Sequence, residues 1–491
     1  MIAHTQLFEQ HHLSDHTGSH YLAVIMAGGR GTRIATIYPD LPKPLIPLDG
    51  IPVLERGLNS LRDQGVKSVL ITVSHLAEQI ISYFGNGSGI SPATGEPFGI
   101  NITFFLEKIP LGNAGALLYL RPYLAEEFLL LNADSLFELD INRLLNFHRS
   151  RSSLATILTH PNSHPYDSGL IIADAENKVT QWLTKEGPRP RYYHNLVNAG
   201  VHVLSVSLID EYLTAHPNCL NGTQLTVSAN TFTASVQHPD SVVDPVDLDR
   251  DLLRPLAGSG QLISYRSPEY IKDMGTPERL KAVERDVKAG IPKRRSLCNR
   301  QRAVFLDRDG TVIRYVPFLK DIEKLELLPG AADAVRLLND SGYLVIIVTN
   351  QPVIARGELS FEGLDLIHQK LETLLDHASA YLDGIYFCPH HPDKGFPGEI
   401  PELKIACHCR KPAPGLLLKA AQDFNLDLKQ CWMVGDSPSD ITAGHTVSCR
   451  TILVPRNGVL SSEIQNYSQD YFCSDLTKAT RLILSFMDCA P

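Results

Sequence analysis

Neither a membrane-length apolar run nor a strongly basic tract occurs anywhere in this chain of 491 residues. A spanning helix needs about 20 consecutive apolar residues, so no membrane partner is expected. Acidic residues outnumber basic ones, 54 to 45, giving a formal charge of -9. General attraction to nucleic acid or to an anionic bilayer needs clustered Lys and Arg, so no nucleic-acid partner is expected either, and phosphate binding must be local. Nine cysteines are spread thinly, unlike the dense paired framework of a small secreted domain, and reduced thiols are expected. Residues 1–20 are polar, carry histidines at 4, 11, 12, 16 and 20, and have no apolar signal core. They read as a flexible extension of a cytoplasmic protein. Internal repeats and low-complexity tracts are also missing.

The chain does hold enough apolar residues, 43%, for compact folding. At about 100 to 200 residues per domain its length suggests two or three units. Strand-like apolar runs alternate with helical segments from Tyr21 to about Val287, and the alternation restarts at Arg302. That is the pattern of two α/β domains, 21–287 and 302–491. Between them, 288–301 mixes Gly, Pro and basic residues without period and reads as a linker.

Two loops carry chemistry. After the strand-like Tyr21 to Met26 come Gly28-Gly29-Arg30-Gly31-Thr32-Arg33 and, ten residues later, Lys43 between prolines. Glycines directly after a strand let backbone N–H groups approach a phosphate chain, while Arg and Lys neutralise its charge. In the second domain, Cys388-Pro-His390 and Cys407-His-Cys409 offer three thiols and an imidazole, enough to close a tetrahedral zinc site. With no open coordination position, such a zinc is structural. His391 and His408 adjoin these residues, and His390 is taken as the ligand from the Cys-Pro-His pattern. The same segment lies between Asp307-x-Asp309, placed after an apolar strand-like run, and Asp436. Paired aspartates there point to magnesium-dependent phosphoryl transfer.

The glycine loop with Lys43 resembles that of the sugar-1-phosphate nucleotidyltransferases, and the resemblance continues to about residue 285. Glu107 to Ala116, with Gly112, looks like the family loop facing nucleotide and sugar. Leu129 to Asp134 looks like its strand ending in a metal-binding aspartate, and Val197-Asn198-Ala-Gly200 like a sugar-side segment. Lys185 falls where the family has Glu-Lys, but Thr184 replaces the Glu; Asp273 matches the second metal ligand. The resemblance implies a Rossmann-like, mostly parallel mixed sheet. It implies attack of a sugar 1-phosphate on a nucleoside triphosphate, with Mg²⁺ on Asp134 and Asp273. Arg33, Lys43 and Lys185 would clamp the phosphates, aided by Gly28, Gly29, Gly31, Thr32, Gly112 and Asn198.

Asp307 to Thr311, Thr349-Asn350, Arg410-Lys411 and Asp436 to Asp440 resemble in order the four motifs of the haloacid dehalogenase superfamily. That implies a Rossmannoid domain in which Asp307 is the nucleophile and Asp309 the acid and base. Asp307, Asp309 and Asp436 would hold Mg²⁺, while Thr349, Asn350 and Lys411 would hold the phosphoryl group. The zinc loop is similar to that of the branch containing heptose bisphosphate and histidinol phosphatases, where Arg410 would contact substrate. Pro352-Val353 replaces that branch's common Ser-Gly.

Together the two resemblances imply consecutive reactions. The 7-phosphate of a heptose 1,7-bisphosphate would be removed, and the heptose 1-phosphate would then receive a nucleotidyl group from a nucleoside triphosphate, GTP by the fusion's pattern. The setting implied is bacterial surface-polysaccharide precursor synthesis. A mannose or glucose 1-phosphate transferase fused to a sugar or histidinol phosphatase, a sugar-nucleotide sensor in place of the transferase, and a homo-oligomer all stay open at this stage.

Overall fold

Strands buried on both faces read as continuous apolar runs, and the buried runs 23–25, 69–71 and 128–131 lie in the strands Tyr21–Met26, Ser68–Val73 and Leu124–Asn132. The structure is a computed structural model. It describes residues 21–29, 33–34, 37–221, 223–228, 230–236, 244–456 and 468–486. The histidine-rich extension, Gly31 and Thr32 lie outside the described residues.

Contacts divide the chain into two compact units that do not coincide with the ranges 21–287 and 302–491. The first comprises 1–134, 152–156 and 201–256; the second comprises 135–151, 157–200 and 257–491.

In the first unit Tyr21–Met26 is central. It runs parallel to Ser68–Val73 on one side and to Leu124–Asn132 on the other. Asn101–Glu107 adds in parallel to Ser68–Val73. Thr231–Val236 adds in parallel to Asn101–Glu107 and pairs with Thr223–Ser228 as an antiparallel hairpin. Residues 201–205 lie antiparallel to Leu124–Asn132 on its other side. Helix Val53–Asp63 buries Val53, Leu54, Leu58 and Leu61, the stripe that 3.6-residue periodicity places on one face.

The second unit contains a six-stranded parallel sheet. Its order is Gly384–Cys388, Leu344–Asn350, Ala303–Leu306, Trp432–Gly435, Arg450–Leu453 and Tyr471–Phe472. Alternate residues of these strands enter two separate cores. Val304, Leu306, Val345, Ile347 and Val434 pack with residues of helices Ala331–Asp340, Phe361–Asp376 and Leu476–Ser485. Phe305, Ile346, Val348 and Met433 pack with those of Gly415–Asp423. The period-2 alternation of a pleated strand is the cause. The unit also holds an antiparallel ribbon, Ser135–Glu138 with Tyr270–Asp273, and a hairpin, Leu170–Ala173 with Val179–Leu183.

The expected linker 288–301 is no free spacer. Residues Ile291–Arg294 are helical, and Arg295, only 7% exposed, pairs with buried Asp383 at 2.6 Å. A guanidinium in that position is stable only because it is paired and hydrogen-bonded. Both residues belong to the second unit.

Candidate active sites and metal centre

In parallel α/β sheets, ligands collect beyond the carboxyl ends of the strands. The first unit follows this rule. Met26, Thr72 and Asn132 are register partners at three strand ends, and Glu107 closes the next strand. The segments beyond these ends line one cleft of about 550 Å³, including Gly28, Gly29, Ser74, Glu107 and Asp134. Lys43 and Gly112 line it too, so five sequence-predicted residues meet here. Lys43 Nζ lies 3.0 Å from Asp134 Oδ2. Gly112 has φ +79°, and a Cβ there would run into the Val246 backbone, so the loop demands glycine. Val246 in turn bonds Leu111 O and Ala114 N at 2.9 and 3.0 Å.

Glu107, read from the sequence only as the first residue of the nucleotide- and sugar-facing loop, is also a member of this cleft. Burial pushes it up to about 7, against the Leu111 N–H it accepts. Arg33 is exposed. The other predicted transferase residues lie in the second unit. Asp273 accepts Arg279 Nη1 at 2.8 and 2.9 Å and is the register partner of Ser135, the residue after Asp134. Lys185 is exposed beside Glu186 at 3.6 Å. The Asn198 side chain accepts the Gly200 N–H at 3.1 Å.

The parallel sheet of the second unit builds a denser site. Leu306 pairs with both Ile347 and Val434, which brings Asp307, Thr349 and Asp436 to neighbouring strand ends. Lys411 Nζ, buried, lies 2.6 Å from Asp307 Oδ1, 2.5 Å from Asp440 Oδ1 and 2.7 Å from Val348 O. Arg456 Nε meets Asp436 Oδ2 at 2.5 Å. Gly310, at φ +93°, packs where a Cβ would strike Asp436. Burial pushes Asp307 up, to about 8; Lys411 draws it down, and Asp440, Asp436 and Asp309 push it further up. Burial opposes the charge on Lys411, but Asp307 and Asp440 outweigh it and hold the ammonium above its usual range. Lys411 is therefore cationic among more carboxylates than it can offset, an environment suited to a further cation.

The carboxylates able to share that cation are Asp307, Asp436 and Asp440. Asp309, expected as a third ligand, is not grouped with them. Its carboxylate is taken by Arg308, at 2.9 to 3.1 Å, and by Gln351 Nε2 at 2.9 Å. Asp440, four residues after Asp436, ends the fourth motif read from the sequence, which gave it no role of its own. It caps helix Pro438–Thr446 through Ser437, with its other oxygen on Lys411. Thr349 Oγ1 receives Gln351 Nε2 at 2.7 Å. The Asn350 amide contacts the Lys411 backbone with both ends, at 2.9 and 3.0 Å, so it braces Lys411 instead of reaching outward. All-oxygen carboxylate donors suit a hard ion such as Mg²⁺.

Cys388, His390, Cys407 and Cys409 converge on one point. Their sulfurs are 3.2 to 3.5 Å apart, and His390 Nδ1 is 3.3 Å from Cys409 Sγ. The sulfurs are too far apart for disulfides, at about 2.05 Å, and close to the roughly 3.8 Å spacing around a zinc with 2.3 Å bonds. His391 turns instead toward Asp393. Cys388 pairs in register with Asn350, and Cys409 precedes Arg410 and Lys411, so the cluster grips both sides of the carboxylate site. Arg410 Nη1 reaches His390 O at 3.4 Å.

Residues 22–289 match the nucleotidyl transferase family model, and residues 408–479 match the HAD-hydrolase-like model. The D-glycero-beta-D-manno-heptose-1,7-bisphosphate 7-phosphatase of Yersinia pestis is 39% identical over 32% of this chain and 81% of its own length. The corresponding phosphatase of Thermosynechococcus vestitus is 38% identical over 38% of this chain and 96% of its own. The solved structure of HddC from Yersinia pseudotuberculosis aligns with 54% of this chain and 99% of its own, at 24% identity and a TM-score of 0.41. The chain therefore belongs to the nucleotidyl transferase family through residues 22–289 and carries, C-terminal to them, a HAD-like phosphatase domain, a transferase and a hydrolase in one polypeptide.

Proposed function

We propose that this chain removes the 7-phosphate of D-glycero-D-manno-heptose 1,7-bisphosphate and joins the resulting heptose 1-phosphate to GMP from GTP, releasing pyrophosphate. One observation carries the reading. A phosphoryl-transfer site, in a domain whose relatives are named for a 1,7-bisphosphate, shares a chain with a nucleotidyl transferase, which needs a sugar bearing only its anomeric phosphate.

In the first reaction Asp307 attacks phosphorus, the bond to the sugar oxygen breaks, and Asp309 gives that oxygen its proton. Asp309 then takes a proton from water as the water opens the aspartyl phosphate. Lys411, on Asp307 at 2.6 Å, orients the nucleophile and offsets its charge. Asp307, Asp436 and Asp440 would hold Mg²⁺, which supplies electrostatic stabilisation of the transferring phosphoryl group. Three sulfurs and one imidazole nitrogen suit structural Zn²⁺.

In the second reaction Gly28, Gly29 and Lys43 face the triphosphate, Arg33 serves the departing pyrophosphate, and Lys185 and Asn198 serve the sugar phosphate. By the family pattern, Asp134 and Asp273 would hold its Mg²⁺. Glu107 supports guanine: its carboxylate offers two acceptors, matching the donors N1–H and N2–H of that base.

Mass spectrometry of products from the purified chain tests the reading, with Mg²⁺, the heptose bisphosphate and an equimolar mixture of nucleoside triphosphates. GDP-heptose from the parent but not from Asp307→Asn is expected. Heptose 1-phosphate accumulating without sugar nucleotide would defeat the transferase half, and no dephosphorylation would defeat the heptose assignment.

A further inference from the structure

Asp309 is held by a chain of contacts that leads away from the site. Arg308 is fully buried and places Nε and Nη2 on the neighbouring carboxylate at 3.0 and 3.1 Å. A buried guanidinium with an unpaired end is costly. Here the remaining nitrogen, Nη1, lies 3.2 Å from Nε2 of His368, itself 4% exposed. A guanidinium only donates, so Nε2 accepts and the ring carries its proton on Nδ1.

His368 sits on helix Phe361–Asp376, and two neighbours at helical spacing, Asp365 and Glu372, both bind His194. Nδ1 is 2.7 Å from Glu372 and Nε2 is 2.9 Å from Asp365. The flanking residues grip the same helix. The Asn195 N–H donates to Glu372 at 3.1 Å, the Tyr193 N–H to Thr373 at 3.0 Å, and the Tyr193 hydroxyl to Asp376 at 2.6 Å. All these residues belong to the second unit, yet 193–195 lie within the stretch matching the nucleotidyl transferase family.

We infer that Arg308 and His368 are positioning residues for Asp309, and that the segment 193–195, through His194, is a working part of the phosphatase site. The inference rests on the acid and base role given to Asp309 above. Losing the His368 acceptor would free Arg308 to swing and leave Asp309 misaimed; losing His194 would loosen the helix that carries His368.

Leaving-group dependence tests it. A sugar or glycerol phosphate needs a proton on its departing alkoxide, whereas p-nitrophenolate leaves with little help. In the full-length chain His368→Leu should lower kcat/KM for heptose 1,7-bisphosphate and glycerol phosphate about 10- to 100-fold, and that for p-nitrophenyl phosphate far less. His368→Gln, which restores an acceptor, should recover most of the loss. His194→Gln should show the same selectivity at about 3- to 10-fold, with thermal melts establishing that each variant is folded. Equal losses on both kinds of substrate, or none, in folded His368→Leu would overturn the positioning role; parent-like His194→Gln would overturn the role of the segment. A parent active on glycerol phosphate but inert toward the heptose bisphosphate would sink the substrate reading and leave this comparison intact.

Discussion

The residue that most changes the phosphatase site is Asp440, because it binds Lys411 and groups with Asp307 and Asp436 as carboxylates that could hold one cation. Asp440→Asn keeps the shape and removes one negative charge. The Mg²⁺ concentration for half-maximal phosphatase rate should rise about 10- to 100-fold, read by titrating the metal. An unchanged requirement would reduce Asp440 to a helix cap. Glu107 allows a second prediction. Because burial places it near 7, it becomes ionised, and able to accept two hydrogen bonds, as pH rises through that value. Preference for GTP over ATP should grow between pH 6 and 8, and Glu107→Gln, with one acceptor and one donor, should weaken it about 10-fold and flatten that rise. Competition assays with paired nucleotides measure both; a pH-independent preference would remove Glu107 from base reading.

At the scale of elements, what was legible follows from burial. Doubly covered parallel strands are runs such as Val345 to Val348 and Leu129 to Leu131, and chemistry must sit where those runs stop. Asp307, Asp436, Asp134 and the glycine loop were therefore findable by position. Asp309 and Asn350 were findable too, but not their partners, because side-chain direction is set by Arg308, Gln351 and Lys411, whose contacts no spacing announces. The thiol and imidazole loop is an element whose sequence spacing matched its geometry. It spans Cys388, opposite Asn350, to Cys409, two residues before Lys411. Removing the zinc proposed for it with a chelator should slow the phosphatase about 10-fold or more by releasing Lys411. Far-ultraviolet circular dichroism should change little, since only Cys388, the last residue of its strand, belongs to the strand ladder. Full activity in protein shown by elemental analysis to be metal-free would reject that role.

At the scale of the molecule, the periodicity that suggested two α/β domains could not foresee how contacts gather the chain. The second unit unites 157–200 with 257–491 through pairs such as His194 with Glu372 and Arg295 with Asp383. Partners 88 or 178 residues apart leave no local pattern. Such pairs make stability depend on pH in a definite direction. Burial opposes the charge on His194, yet Glu372 and Asp365 raise it to about 9, against about 6.5 in an unfolded chain. A raised value contributes stability fully below about 6.5 and loses it as pH climbs through about 9. Burial likewise raises Glu372, but His194 and Arg266 outweigh it and bring it to about 2, so its contribution is present above about 4.5 and lost as pH falls through about 2. The clamp is thus strongest between about pH 4.5 and 6.5. His194→Gln should melt a few degrees below the parent near pH 6, about 2 to 4 °C per kcal/mol lost, and the gap should close by about pH 10 as the parent's imidazole loses its proton. Calorimetry across that range decides it, because a gap independent of pH would mean that His194 holds the helix by shape and not by charge.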